Sequence, residues 1–331
     1  MKTVKIKFVG FWNGFNPELN PIYTILKKHY NVQIVDDPDY IICSMFGEPY
    51  EYCQYPQIRI MYSGENYVPD FNLVDYAVCP YPIDFLDRCY YKPGCVEVFG
   101  RCVSLAQKDR SYTGDILSEK PYFANFISSH ESEYGLRGEF FRMLCKYKRV
   151  ESPGTYLNNM ASTQRVDWTD NSKSDFQRKC KFTLCFESTN HAGFVTEKIT
   201  DAFYNDTIPV YYGSSTVTDI FNADAFINCS DYPDFQAVID KIIELDQDDR
   251  KYLEMLRQPI FTDNSFPEKI MDGLEKFIVS IFDQPIEAAY RRSRVYSPKK
   301  HDDYLKAACL PNKLTTRELL SLLAKRFSKK R

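Results

Sequence analysis

The sequence contains few of the residues from which metal sites and disulfide frameworks are built. Only four histidines occur, and none stands in an HxxxH or HxE pattern. The eleven cysteines are an odd number and include no CxxC pair, so neither a zinc ribbon nor a disulfide framework is predicted. We therefore expect free thiols, a reducing cytoplasmic location and no bound metal.

Long apolar segments are also missing. Residues 277–282 form one of the longest such runs, interrupted by Ser280, whereas a membrane-spanning helix needs roughly 20 apolar residues. The first twelve residues, MKTVKIKFVGFW, are basic but lack a small-residue cleavage site, so they are interpreted as a strand rather than a signal peptide. Two acidic clusters, residues 36–39 and 167–170, superficially match DxD metal motifs, but neither follows an apolar strand in the way usual for such motifs, which favours solvated turns.

Charge is concentrated at the C-terminus. Residues 284–331 contain 13 Lys or Arg and 4 Asp or Glu, although the formal net charge of the chain is −3. Leu319, Leu320, Leu323 and Phe327 share one helical face with basic residues around it, which is typical of a helix lying on an anionic membrane. We expect peripheral contact with the inner face of the cytoplasmic membrane and no nucleic-acid partner. A packing helix with a solvated basic end, or a disordered tail, is the alternative.

Predicted strands alternate with predicted helices along most of the chain. Strands are expected at residues 4–9, 32–35, 40–43, 58–62, 74–79, 122–127, 182–186 and 208–212, and helices at 21–30, 136–147, 196–204, 235–245, 248–256 and 267–282. The alternation predicts an α/β protein with two Rossmann-like domains facing a central cleft. We place these domains at residues 1–118 and 119–265, followed by a helix at 266–285 that packs back on the first domain and a basic amphipathic tail at 286–331.

Residues 181–213 combine a strand, a polar loop, a helix start and a second strand. FEST stands at 186–189, FVTEK at 194–198 and IPVYYG at 208–213. Where the loop enters the helix, backbone N–H groups, the Thr196 hydroxyl and the Lys198 ammonium could converge on a diphosphate. The alternative is that Thr196 only caps the helix and that Lys198 is a solvated residue of its first turn.

These motifs resemble the donor-binding signature of the bacterial α-1,3/4-fucosyltransferases, glycosyltransferase family ten, in which FEN(S/T) precedes (D/G)Y(V/I)TEK and (I/V)P(V/I)…G. A second segment, YSGENYVPDFNLVDYAV at 62–78, is similar to the family's GEN…DYA region. The resemblance implies the GT-B fold and an inverting transfer of L-fucose from GDP-fucose to a glucose or N-acetylglucosamine hydroxyl. An oligosaccharide such as N-acetyllactosamine would be the acceptor, in synthesis of Lewis-type antigens or lipopolysaccharide, with no cofactor required.

The resemblance also implies a set of donor-binding residues in the second domain. Arg137 precedes an F-rich helix, as the family's donor-binding arginine does. The whole set is Asn125, Arg137, Glu187, Phe194, Val195, Thr196, Glu197 and Lys198. This sequence departs from the family at Phe194, where Tyr is usual, and at Ser188, where Asn is usual, so local geometry is expected to differ there.

Two carboxylates are candidates for catalysis. The resemblance implies that Glu197 contacts the fucose, its developing positive charge or the ribose, although an acid in the first turn of a helix is also stabilised by the helix dipole. Glu65 lies in a turn after a predicted strand, where a carboxylate could accept the proton of the acceptor hydroxyl. The alternative for Glu65 is a turn acid paired with a neighbouring Lys or Arg.

The acceptor side is indicated by an aromatic loop directly after the first strand. Trp12, Asn13 and Phe15 lie in this loop, and aromatic rings match the apolar C–H faces of sugars. One or two of these rings could instead anchor the core. The first domain would bind the acceptor and the second GDP-fucose. Two rival functions are a GT-B transferase that uses a different nucleotide sugar and a non-catalytic glycan-binding relative.

Overall fold

The computed structural model describes residues 1–132, 134–161, 166 and 171–309, which form two compact α/β units. The first unit comprises Met1–Cys79, Ile83–Tyr91 and the described residues from Asp272 onward. The second comprises Pro80–Pro82 and Lys92–Met271, apart from the residues outside the described ranges. Over residues 272–309 the chain thus returns to the unit in which it began.

Unit one is built on a six-stranded parallel sheet in the order β2-β1-β3-β4-β5-β6. Its strands are β1 Thr3–Val9, β2 Asn31–Ile34, β3 Tyr40–Cys43, β4 Ile58–Tyr62, β5 Tyr76–Cys79 and β6 Cys89–Tyr91, and its first helix is α1 Pro21–His29. Every residue of β3, β4 and β5 is buried, as expected for central parallel strands covered on both faces. The carboxyl ends of the strands share one edge, where the loops that follow β1, β3 and β4 lie together.

The C-terminal part of the chain, as far as residue 309, contains α8 Phe266–Phe282, which runs from unit two into unit one, α9 Ile286–Ala289 and α10 Tyr296–Cys309. The end of α8 and the residue after it pack on unit one: the Tyr40 and Phe282 rings lie 4.3 Å apart, and the Tyr30 hydroxyl donates to Asp283 Oδ1 at 2.7 Å. The helix predicted at 267–282 therefore starts one residue earlier and ends where expected.

Buried ion pairs hold the segment after α8. Asp75 accepts hydrogen bonds from the backbone N–H groups of Arg291 and Arg292, each at 2.9 Å, and pairs with the Arg292 guanidinium. The Arg59 guanidinium, which is 1% exposed, donates to Asp302 of α10 at 2.6 Å. Residues 286–309 are therefore part of unit one and not the separate tail expected from residue 286. The apolar face at 319–327 lies outside the described residues.

Unit two contains a five-stranded parallel sheet in the order β11-β10-β9-β7-β8. Its strands are β7 Tyr122–Asn125, β8 Val150–Glu151, β9 Cys180–Phe186, β10 Ile208–Tyr212 and β11 Ile227–Asn228, and its helices are α2 Phe99–Ala106, α3 Leu136–Leu144, α4 Ser172–Gln177, α5 Glu197–Tyr204, α6 Phe235–Gln247 and α7 Asp249–Leu256. The central strand β9 is buried along almost its whole length. It carries the polar loop of the 181–213 motif to the carboxyl edge of the sheet.

The units divide at Tyr91 and Lys92, whereas the sequence placed the boundary at residue 118. The cause is α2, which the sequence pattern did not reveal. Its Cys102 and Leu105 are buried in one core cluster with Ile199 of α5, so residues 92–118 belong with unit two. Within the described part of the chain, no helix is long and apolar enough to cross a membrane.

Candidate active site

The polar loop between β9 and α5 is organised around Glu187, the first residue after β9. The Glu187 backbone N–H donates to Tyr212 O at the end of β10, which directs the side chain into the protein. Its buried carboxylate accepts from Thr196 N at 2.8 Å, from the Thr196 hydroxyl at 2.7 Å and from Lys198 Nζ at 3.1 Å. Glu187 thus closes the loop onto the first turn of α5.

Thr196 stands at the N-cap position of α5, but its side chain makes no capping hydrogen bond. The hydroxyl donates to Glu187 and accepts from Lys198 Nζ at 2.9 Å. The alternative that Thr196 only caps the helix is therefore wrong, because its hydroxyl contacts Glu187 and Lys198 instead. A helix N-terminus without a side-chain cap attracts anions, because its first N–H groups lack intrahelical acceptors.

Lys198 lies between two carboxylates. Its Nζ is 3.1 Å from Glu187 and 3.8 Å from Glu197, and about a quarter of its side chain is exposed. Burial acts to lower the pKa of Lys198, but Glu187 and Glu197 outweigh burial and raise it. Burial likewise acts to raise the pKa of Glu197, and the ammonium groups of Lys198 and Lys173 lower it below its ordinary value. Lys198 is therefore a fixed cation and Glu197 a carboxylate near neutral pH.

Arg137 supplies a second cation from the first turn of α3. Its guanidinium donates to Phe186 O, at 3.1 Å from Nε and 2.8 Å from Nη2, and to His130 O at 3.0 Å from Nη1. Among the described residues no carboxylate forms an ion pair with it. Burial lowers the pKa of Arg137, and Glu187 and Glu131 compensate only in part. The buried guanidinium charge is therefore not fully stabilised by its present contacts, which favours an anion beside it.

A shallow hollow lies beside Glu187. Besides this residue it is lined by Ser132, Tyr134, Leu136, Ser188, Thr189, Asn190 and Tyr212. Tyr212 stacks on Phe186, with ring centroids 5.4 Å apart, and Tyr134 is largely exposed. Sequence reasoning did not select these tyrosines, although Tyr212 stands directly before the glycine of the IPVYYG motif.

Of the eight predicted donor-binding residues, only Glu187 lines this hollow, and three of the others are held in the interior of unit two. Asn125 is fully buried and donates to Phe182 O and Thr183 Oγ1, so it joins β7 to β9. The Val195 side chain is buried in the core, and the Phe194 ring stacks on Tyr81 at 5.6 Å. These residues are placed to support the loop, whereas Arg137, Glu187, Thr196, Glu197 and Lys198 lie together.

In unit one, Glu65 is exposed in the loop after β4, and its backbone N–H donates to Ser63 Oγ at 3.2 Å. The aromatic loop after β1 lies at the same sheet edge. Its Phe11 and Phe15 rings stack at 4.0 Å, whereas Trp12 and Asn13 are exposed. The structure therefore brings Glu65 and the predicted acceptor residues to one edge of unit one.

The residues described here contain no group of three or more His, Cys, Asp or Glu side chains arranged to hold a metal ion. Residues 36–39 follow β2, and Asp36 forms an ion pair with Lys7 at 2.9 Å. Asp167 and Asp170 lie outside the described residues. The ten cysteines whose side chains the structure describes are free thiols.

Two family models match the chain. The α-(1,3)-fucosyltransferase FucT N-terminal domain matches residues 6–94, and the glycosyltransferase family 10 (fucosyltransferase) C-terminal domain matches residues 116–258, so together they span more than half of the chain. The second range contains the whole Glu187, Thr196 and Lys198 arrangement as well as Arg137.

Curated relatives agree with the family models. The chain is 28% identical over 304 residues to α-(1,3)-fucosyltransferase FucT of Helicobacter pylori, with 82% of the chain and 61% of the relative covered. It is 24% identical over 243 residues to putative fucosyltransferase R654 of Acanthamoeba polyphaga mimivirus, with 70% of the chain and 39% of the relative covered. The chain therefore spans less than two thirds of the length of these relatives.

Solved structures agree as well. A crystal structure of α1,3-fucosyltransferase is 25% identical, with a TM-score of 0.70, covering 89% of this chain and 93% of that one. A crystal structure of α1,3-fucosyltransferase with GDP-fucose is also 25% identical, with a TM-score of 0.65, covering 84% and 91%. These likenesses and the two parallel-sheet units confirm the predicted GT-B class.

Proposed function

The chain belongs to glycosyltransferase family 10, and we propose that it is an α-1,3-fucosyltransferase that uses GDP-fucose. The observation that carries the proposal is the convergence of Arg137, Lys198 and the N-terminus of α5 at the carboxyl end of β9. A solved relative similar over most of both chains holds GDP-fucose. Two cations and a helix N-terminus are suited to a diphosphate, whose charge grows as the sugar bond breaks.

In the proposed reaction the acceptor hydroxyl oxygen attacks C1 of fucose while the bond between C1 and the diphosphate oxygen breaks. Configuration inverts in this single displacement, so a β-linked donor gives an α-linked product. The electron pair of the broken bond leaves on GDP, next to Arg137 and Lys198. The hydroxyl proton passes to the Glu65 carboxylate as general base. Glu197 is assigned to the fucose, its developing positive charge or the ribose.

We assign the acceptor to N-acetylglucosamine or glucose in an oligosaccharide such as N-acetyllactosamine, as in Lewis-type structures. Trp12, Asn13 and Phe15 after β1 support this assignment, because aromatic rings and an amide are common in sugar-binding sites. Incubation with GDP-fucose and a panel of lactose, N-acetyllactosamine and type 1 chain acceptors tests it. Linkage analysis of the product should give an α-1,3 bond; a β bond would overturn the inverting mechanism, and an α-1,4 bond would change the linkage.

The donor is tested by isothermal titration with GDP-fucose against UDP- and CMP-sugars. Preferential binding of GDP-fucose is expected. Preferential binding of another nucleotide sugar would favour the rival transferase. Binding of GDP-fucose without release of GDP in the presence of acceptors would instead favour a non-catalytic glycan-binding protein.

The proposed reaction requires no metal ion or other cofactor, because Arg137 and Lys198 can compensate the charge of the leaving diphosphate. Turnover should therefore persist in excess EDTA. Reversible loss of activity on chelation, restored by a divalent cation, would contradict this part of the proposal. We further propose a cytoplasmic location with peripheral membrane contact through residues 313–331.

A further inference from the structure

We propose that Phe46, on the loop after β3, joins Trp12 to form a stacking platform for a pyranose ring of the acceptor. The inference rests on the proposed function and adds a specificity-determining residue to it. Phe46 was not among the acceptor residues predicted from the sequence, because it lies more than 30 positions from Trp12 and carries no motif. Only the fold brings the two rings together.

The two rings meet edge to face at the surface of unit one. Their centroids are 5.4 Å apart with an interplanar angle of 89°, and Trp12 and Phe46 are 47% and 46% exposed. The rings beneath them already pack against each other, since Phe11 stacks on Phe15 at 4.0 Å and Phe8 contacts Phe15 at 5.4 Å. The inner rings thus anchor the loop, and about half of each outer ring remains available for a ligand.

The backbone holds the two loops at a fixed separation. Gly10 O accepts hydrogen bonds from Phe46 N at 2.8 Å and Gly47 N at 2.9 Å. A Cβ on Gly10 would lie 2.6 Å from Ser44 O, and a Cβ on Gly47 would lie 2.6 Å from Gly10 Cα, so each position requires glycine. Trp12 and Phe46 are therefore presented as a pre-organised pair, which reduces the entropy lost when a ligand is bound.

Ser63 links this platform to the proposed base. Its hydroxyl donates to the Met45 sulfur at 3.8 Å and accepts from Glu65 N at 3.2 Å. Met45, which precedes Phe46, and Glu65, the proposed base, thus both contact Ser63. A sugar stacked on Phe46 would lie at the same sheet edge as Glu65, which is what transfer to one of its hydroxyls demands.

The chemistry of the surface matches a sugar. A pyranose ring offers an apolar C–H face to an aromatic ring and hydroxyls at its rim, and the exposed Asn13 and Glu48 flank the rings with polar groups. This combination of exposed apolar rings and a polar surround at the carboxyl ends of parallel strands is typical of ligand sites in α/β proteins.

The test compares Phe46→Ala and Trp12→Ala with a matched control, Tyr304→Ala, which removes an exposed aromatic ring of unit one on α10. With N-acetyllactosamine as variable substrate, the two platform variants should raise the acceptor KM about tenfold each, while kcat and the KM for GDP-fucose change less than about twofold. Phe46→Tyr should retain a KM near that of the unaltered protein, and the control should be unchanged. Thermal unfolding verifies that each variant is folded.

An unchanged acceptor KM in folded Phe46→Ala would overturn the inference while leaving the proposed function intact. Absence of any fucose transfer by the unaltered protein would instead contradict the proposed function. In that case saturation-transfer NMR with N-acetyllactosamine alone still tests the platform, since the signal should fall in Phe46→Ala and not in Tyr304→Ala. Equal signals in both variants would overturn the platform.

Discussion

The buried Glu187 carboxylate and the Lys198 ammonium lie 3.1 Å apart, and they join the end of β9 to the first turn of α5. A carboxylate beside a diphosphate site opposes anion binding by its charge, yet this one uses both oxygens to hold Thr196 and Lys198. Its effect on the donor is therefore indirect. Glu187 is a positioning residue, and Lys198 is the group assigned to the phosphates.

Glu187→Gln should weaken GDP binding, although it removes a negative charge from the site. The amide can no longer accept from Thr196 and Lys198 with both terminal atoms, so Lys198 loses its fixed orientation. We expect the free energy of unfolding to fall by about 2 kcal/mol, the usual contribution of hydrogen bonds to charged groups. Denaturant unfolding and isothermal titration with GDP measure the two effects.

Glu139→Gln is the matched control for Glu187→Gln, since Glu139 is an exposed carboxylate on α3 of the same unit. It should change neither quantity. Unaltered or tighter GDP binding by folded Glu187→Gln would show that the charge of Glu187, and not its hydrogen bonds, determines its effect on GDP affinity.

Arg137→Ala and Lys198→Ala should each weaken GDP binding by about ten- to a hundredfold, because each removes a charge-assisted contact to phosphate. The affinity for guanosine, which has no phosphate, should change little. Arg142→Ala provides the control, as Arg142 is an exposed arginine one and a half turns further along α3. Normal GDP affinity in folded Lys198→Ala would remove Lys198 from the donor site.

Local sequence signals predicted the chain's elements well. The bounds of β3, β4 and β10 agree with the prediction to the residue, because short, mostly apolar segments of four or five residues bounded by turn residues define buried parallel strands. The short strands β6, β8 and β11 and the helices α2, α4, α9 and α10 were missed. These elements form through tertiary packing, and the local periodicity of apolar residues in the sequence does not reveal them.

The sequence predicted most of the residues of the donor site, but it predicted less well what each of them does. The motif identified Glu187, Thr196 and Lys198, but their mutual hydrogen bonds arise only when β9 and α5 meet. Asn125 was grouped with them, yet the fold places it inside the sheet. Asp75 neutralises Arg292, although the two residues lie more than 200 positions apart in the sequence. The composition of the C-terminal region therefore overstated how much positive charge it has available for other partners.

Glu65→Gln should lower kcat by about 10²- to 10⁴-fold and leave the affinity for GDP-fucose unchanged, since the amide cannot take the acceptor proton. Glu287→Gln on α9 is the control, because Glu287 is an exposed carboxylate of unit one away from the acceptor platform. Single-turnover rates and equilibrium donor binding separate the two quantities. Near-normal kcat in Glu65→Gln would exclude Glu65 as the base.

Lys120 should make the stability of the protein rise with pH above about 8. Among the described residues, its ammonium donates to the backbone oxygens of Arg178 and Cys180 and to no carboxylate, and burial lowers its pKa to about 8. Between pH 8 and 10.5 the unfolded chain therefore binds more protons at this residue than the folded protein, so deprotonation favours folding as the pH increases.

Comparison with Lys120→Met isolates this contribution from other titrating groups. The unfolding free energy of the unaltered protein minus that of Lys120→Met should increase by about 3 kcal/mol from pH 8 to 10.5. The exposed Lys146 gives the control, and Lys146→Met should yield a difference that is flat over this range. A flat difference for Lys120→Met would mean that its ammonium is solvated in the folded state.

Deletion of residues 313–331 should lower association with anionic vesicles and leave GDP-fucose binding intact. Leu319, Leu320, Leu323 and Phe327 would insert into the lipid interface, and each nearby Lys or Arg adds about 1 kcal/mol of attraction to anionic lipid. Co-sedimentation with anionic and neutral vesicles, at low and high salt, measures this association. Equal sedimentation of the two proteins would contradict the proposed membrane contact.

A longer deletion, from residue 296 onward, should behave differently because it removes Asp302 as well. The Arg59 guanidinium would then be left buried without its carboxylate, which costs about 3–5 kcal/mol of unfolding free energy. The shorter deletion keeps α10 and this ion pair, so its thermal stability should match that of the intact chain. If the shorter deletion alone destabilised the protein, residues 313–331 would pack on the folded enzyme, and their apolar face would be explained without a membrane.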